Sequence, residues 1–116
     1  KASMVGRLVG IRSDRGVDVS LYLRLEEISK EKNRLYLSVG LYDRQRNEML
    51  RGARVVARVM TEGQEKRDIV LQAAQALYQG SADFLKTAQV KGFRVDFKKG
   101  DKSGSVEYKL KKKESR

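Results

Sequence analysis

Val70-Leu71-Gln72-Ala73-Ala74-Gln75-Ala76-Leu77-Tyr78-Gln79-Gly80-Ser81-Ala82-Asp83-Phe84-Leu85 is the stretch on which the fold class turns. Val70, Ala73, Ala74, Leu77, Ser81, Phe84 and Leu85 recur at helical spacing, and residues three and four apart share one face of an α-helix. Just upstream, Thr61-Glu62-Gly63-Gln64 has the Thr-x-x-Gln form of a capping box, in which each end residue satisfies a backbone amide of the first turn. The spacing therefore predicts a helix from about Glu62 to Thr87. Gly80 would kink or divide it, and Ser81 could cap a second short piece.

On both sides of this stretch the period is two. Val17, Val19, Leu21, Leu23 and Leu25 alternate with Asp18, Ser20, Tyr22 and Arg24, the pattern of a half-buried strand. Leu35, Leu37, Val39 and Leu41 repeat it against Arg34, Tyr36, Ser38, Gly40 and Tyr42. The polar run 27–33 between them reads as a hairpin connection. Residues 51–61 form a further strand, with Ala53, Val55, Ala57 and Val59 on one face and Arg54, Val56, Arg58 and Met60 on the other. A shorter first strand carries Val5, Arg7, Val9 and Ile11 and stops at the turn Ser13-Asp14-Arg15-Gly16. After the helix, Phe93, Val95 and Phe97, then Val106, Tyr108 and Leu110, make a second hairpin about Gly100-Asp101-Lys102-Ser103-Gly104. The expected fold class is α+β: an antiparallel meander sheet, ββββ-α-ββ, with one main helix packed on one face. Residues 1–110 form one domain and 111–116 a basic carboxy-terminal tail.

Composition narrows the chemistry. The 116 residues contain no cysteine and no histidine, which removes disulfides, thiolate metal sites, thiol nucleophiles and the commonest general base. No phosphate loop, nucleophile elbow or dinucleotide fingerprint is present. The expectation is a binding module, not an enzyme, with no catalytic residues, no metal site and no cofactor. Lys and Arg number 26 against 15 acidic residues, a net charge of +11. Such a chain attracts polyanions: nucleic acid, anionic lipid or an acidic protein face. A well-hydrated surface accounts for the same charge without a partner.

If the aliphatic face is the core, the opposite face presents Tyr22, Arg24, Tyr36, Ser38, Tyr42, Arg54 and Arg58. Rings and guanidinium planes stack bases while cations track phosphates, so this face suits single-stranded RNA or DNA. Tyr22 and Tyr36 would stack bases on facing strands, with Arg24, Arg54 and Arg58 holding phosphates. From Lys98 to Arg116 there are 8 basic and 3 acidic residues, and Lys109, Lys111, Lys112 and Lys113 would add a secondary contact. Two other readings stand beside it: ordinary cross-strand pairs on a solvated face, or a face covered by a second copy of the chain or by the carboxy-terminal hairpin.

Arg34-Leu35-Tyr36-Leu37-Ser38-Val39-Gly40-Leu41-Tyr42-Asp43 followed by Met49-Leu50-Arg51-Gly52-Ala53-Arg54-Val55 resembles part of a bacterial envelope fold. That fold is shared by the amino-terminal domain of TolB and by curli-export lipoproteins. The resemblance runs from Val17 to about Leu85 and includes the expected helix; the first βα half and the Trp common after the turn are missing. It implies an extracytoplasmic module for assembling envelope machinery, facing an envelope protein complex or an anionic surface, with no enzymatic site. The compartment then depends on the start: cytoplasmic if Met4 is native, periplasmic if the chain is a trimmed lipoprotein.

Overall fold

Period two extends through the whole described chain. The computed structural model describes residues 5–63 and 66–110, and among these it contains nine strands and no helix. They are β1 (Arg7–Asp14), β2 (Val17–Glu27), β3 (Lys32–Asp43), β4 (Glu48–Met49), β5 (Arg54–Thr61), β6 (Lys66–Ala74), β7 (Leu77–Leu85), β8 (Val90–Lys99) and β9 (Lys102–Lys109). The spatial order is β1-β2-β3-β7-β6-β5-β8-β9, with β4 beside β3. Every pair is antiparallel.

The α+β expectation is thereby corrected: the fold is an antiparallel, nearly closed barrel-like sheet, and the helix expected over 62–87 is a hairpin. Residues 66–74 and 77–85 are strands joined at Gln75-Ala76, where Gln75 has a φ of 60°. In such a hairpin the inward parity flips, because Ala73 pairs with Tyr78 and Gln72 with Gln79. Inward positions are odd before the turn (Ile69, Leu71) and even after it (Tyr78, Ala82, Phe84). Read without the turn, that flip mixes with the Ala and Gln residues of 72–77 to imitate helical spacing. Local propensity favours a helix there, but the sheet offers each inward side chain a place in the core, and packing prevails. Thr61, expected to cap the helix, is buried at the end of β5; Gln64 lies outside the described residues.

The inward faces share one core. Val17, Val19 and Leu21 of β2 and Leu37, Val39 and Leu41 of β3 meet Val55 and Val59 of β5 and Phe93 and Val95 of β8, all fully buried. Two walls can be distinguished. β1, β2, β3 and β7 form the first; β5, β8 and β9 form the second. β6 joins them, pairing with β5 through Leu71 and with β7 from Gln72 onward. The bend is possible because β7 has glycine at position 80: a Cβ there would lie 2.8 Å from Leu71 Cδ2 and 2.9 Å from Ile69 Cγ2. At the far side β1 and β9 meet at a seam. Ser105 donates its backbone N–H to Asp14 Oδ2 at 2.8 Å, and the buried Tyr108 hydroxyl donates to the Val19 carbonyl at 2.5 Å. Burial pushes the Tyr108 hydroxyl well above its ordinary pKa, against the opposing influence of Arg12, whose guanidinium lies over the ring at 5.3 Å.

Candidate functional site

The outward face of the first wall carries the aromatic residues. Arg24 pairs across with Tyr36, and Tyr22 with Ser38; on the other side of β3, Tyr36 faces Ser81 and Ser38 faces Gln79. The alternation that buries Leu21, Leu23 and Leu37 therefore sends Tyr22, Arg24 and Tyr36 outward. The Arg24 guanidinium carbon lies 3.9 Å from the Tyr36 ring centroid, a close cation–π stack. The Tyr36 hydroxyl donates to Glu26 Oε1 at 2.9 Å, which holds the ring in place. Beside the stack is a groove of about 320 Å³ lined by Arg24, Tyr36, Leu37, Ser38, Gln79, Gly80 and Ser81. Gln79 Nε2 donates to Ser38 Oγ at 3.0 Å. Tyr42 lies further along β3, opposite Asp18 and Met49. From Tyr36 to Tyr42 the strand covers about 20 Å at ~3.3 Å per residue.

One end of this face is electrostatically closed. Arg34 Nε and Nη2 donate to the two Asp83 oxygens at 2.7 and 3.2 Å. The Arg34 hydrogen bond holds the Asp83 carboxyl below the ordinary carboxylate range despite its desolvation, and Asp83, then Tyr36, raise the Arg34 pKa in turn.

The structure divides the residues expected to act together. Tyr22, Arg24, Tyr36 and Tyr42 share the first wall. Arg54 and Arg58 project outward from β5 in the second wall, and Lys109 from the end of β9. Arg58 is engaged by Asp68 through two bonds of 2.7 and 3.2 Å. That pairing lowers the Asp68 pKa and raises that of Arg58. Arg94 is similarly held by Asp96 at 3.0 Å, with Ser105 bonded to both. Arg54 sits opposite Lys98 and Lys109 opposite Gly92. Lys111, Lys112 and Lys113 lie outside the described residues.

Gln79, Gly80 and Ser81 line the groove because 77–85 is a strand beside β3; the helical spacing of this stretch does not point to them. The signal was present: Tyr78, Gly80, Ala82 and Phe84 alternate with Gln79, Ser81 and Asp83.

Among the described residues no three His, Cys, Asp or Glu side chains come together as a metal site, and no helix is long and apolar enough to cross a membrane. Comparison with protein-family profiles, with curated proteins and with solved structures returned no match. Where the resemblance to the TolB and curli-export type places a helix, the described residues form the strands β6 and β7.

Proposed function

We propose that this chain is a non-catalytic binding module that takes single-stranded nucleic acid across the outer face of β2, β3 and β7. The observation that carries the reading is the Arg24–Tyr36 stack, 3.9 Å apart beside a groove of about 320 Å³. A ring and a guanidinium plane offer stacking surface to any base. Ser81 and Gln79 add hydroxyl and amide groups at the groove for base edges, and Arg24 contributes positive charge toward a phosphate. An exposed sheet face suits splayed bases better than a duplex. Arg54, Arg58 and Lys109 take no part in this face. Asp68 already neutralises Arg58.

Fluorescence anisotropy with a labelled ten-nucleotide strand and its duplex, each at low and moderate salt, tests the reading. Single strands are expected to bind more tightly than duplex, and Tyr36→Ala to weaken single-strand binding by about 1–3 kcal/mol. Absence of binding at low salt overturns the proposal and leaves the face to a protein partner or a second copy of the chain.

A further inference from the structure

The geometry points to a second anion site, at the barrel end where β3 runs into β4 and β8 into β9: a compact, multiply charged phosphate group held by Arg46, Arg51 and Lys99. The segments 43–54 and 98–102 carry seven cations and three carboxylates. A hollow of about 410 Å³ there is lined by Arg46, Glu48, Met49, Leu50, Arg51 and Lys99. A second, of about 380 Å³, shares Arg46, Leu50 and Lys99 with it. The three cations therefore border one continuous concave surface.

Three observations set this end apart from an ordinary solvated charge cluster. First, Arg34, Arg58 and Arg94 are each matched by a carboxylate, in Arg34–Asp83, Arg58–Asp68 and Arg94–Asp96. Arg46, Arg51 and Lys99 form no ion pair with any described residue. Second, the sheet register places like charges opposite each other, Arg54 against Lys98 and Lys99 against Lys102. Like charges directly across a ladder repel, and Lys102 alone of these four is offset, by the buried Asp43 at 3.2 Å. A bound polyanion would relieve this repulsion.

Third, the backbone that presents the cations is pinned. Tyr78, buried at 4 % exposure, donates its hydroxyl to the Leu50 carbonyl at 2.8 Å and accepts from Ala53 N–H at 3.1 Å. Leu50 N–H donates to the Leu41 carbonyl at 2.8 Å. Arg51 thus projects from a segment clamped on both sides. Asp43 Oδ1 accepts from the amides of Gln45 and Arg46 at 3.1 and 3.3 Å, which fixes the turn carrying Arg46. The Lys99 ammonium reaches over Gly52, 3.9 Å from where a Cβ would stand. Cations on a prearranged backbone lose little freedom on binding, and charge-assisted bonds to phosphate oxygens are the strong class. Glu48 at the rim restricts the anion to one that several cations hold at once. The site lies about 20 Å along β3 from Tyr36, at ~3.3 Å per residue, and does not rest on the nucleic-acid reading.

Isothermal titration calorimetry of the full chain with tripolyphosphate at low salt tests it. Wild type is expected to bind one equivalent. Arg51→Gln with Lys99→Gln should weaken binding roughly tenfold or more, and Arg46→Gln alone should weaken it by less. Lys32→Gln with Lys91→Gln removes the same charge from the opposite barrel end and should bind as wild type does. Tyr36→Ala should also leave tripolyphosphate binding intact, so failure of this site and failure of the Tyr36 face are read separately. No binding, several equivalents, or equal loss in both double variants would overturn the proposal, the last by showing that only diffuse charge is at work.

Discussion

On the first wall Arg24 lies against the ring of Tyr36, whereas on the second wall Arg58 lies against the carboxylate of Asp68. Both arginines come from strands with the same alternation, and both point away from the same core. The difference is the residue that the neighbouring strand places beside each. Across from Arg24, β3 supplies an aromatic; across from Arg58, β6 supplies an acid. Arg24 is stacked on a ring, while Arg58 is chelated by a carboxylate that offsets its charge. On the proposed reading, net charge attracts the polyanion and register selects the wall it meets.

The inner faces are expected to behave alike where the outer faces differ. Leu37 in the first wall and Phe93 in the second are both fully buried in one cluster. Leu37→Ala should cost about 2–5 kcal/mol and Phe93→Ala about 3–5 kcal/mol, each within a single cooperative transition in urea. Two separated transitions would break the comparison by showing two independent cores.

Acid should loosen both walls. Asp83 on the first, Asp68 on β6 where it holds Arg58 of the second, and Asp43 at the barrel end all titrate below the ordinary value of 3.8. The hydrogen bonds from Arg34 and Arg58 are responsible for the first two. At Asp43 burial pushes the other way and is outweighed by Lys102 and the Arg46 and Gln45 amides. A depressed folded-state pKa gives stability that is present above the unfolded value and is lost as pH falls through the folded one. The melting temperature should thus hold above about pH 4 and fall below it. Asp43→Asn should lower the plateau and flatten that fall; an unchanged acid limb would show that the pair with Lys102 carries no stability.

A smaller effect sharpens the contrast between the arginines. Arg58→Ala should leave both oligonucleotide affinity and thermal stability close to wild type, as expected of an exposed ion pair. Anisotropy and thermal melts of this variant check both. A loss of affinity as large as that expected for Tyr36→Ala would put the second wall into the site.

Legibility followed burial. β2 and β3 were plain in the sequence because the inward face of each is aliphatic, so Val17 to Leu23 and Leu35 to Leu41 alternate without a break, and Leu25 carries the pattern past the core to 61 % exposure. β6 and β7 were not, because Ala73, Ala74 and Ala76 are small enough to sit on either face and blur the period at the turn. Val9 and Ile11, two residues apart, would share one face of an unbroken strand. A bulge between Leu8 and Gly10 shifts the register, so Ile11 pairs with Ser20 and stands 54 % exposed. The site was half legible for a related reason. Alternation places Tyr22, Arg24 and Tyr36 on one side, but it does not say which strands are neighbours. Joining strands in chain order put Arg54 and Arg58 beside Tyr36; the path from β3 to β5 instead leaves that place to β7, with Gln79 and Ser81.

The most direct test of the account is a map of where a single strand touches the protein. Backbone amide chemical shifts of the ¹⁵N-labelled chain, titrated with a ten-nucleotide single strand, should move at Arg24, Tyr36, Ser38, Gln79 and Ser81. The outward residues of β5 and β8, including Arg58 and Arg94, should stay still. Shifts centred on Arg58 and Arg94, or spread evenly over all surface cations, would contradict the assignment of binding to the first wall.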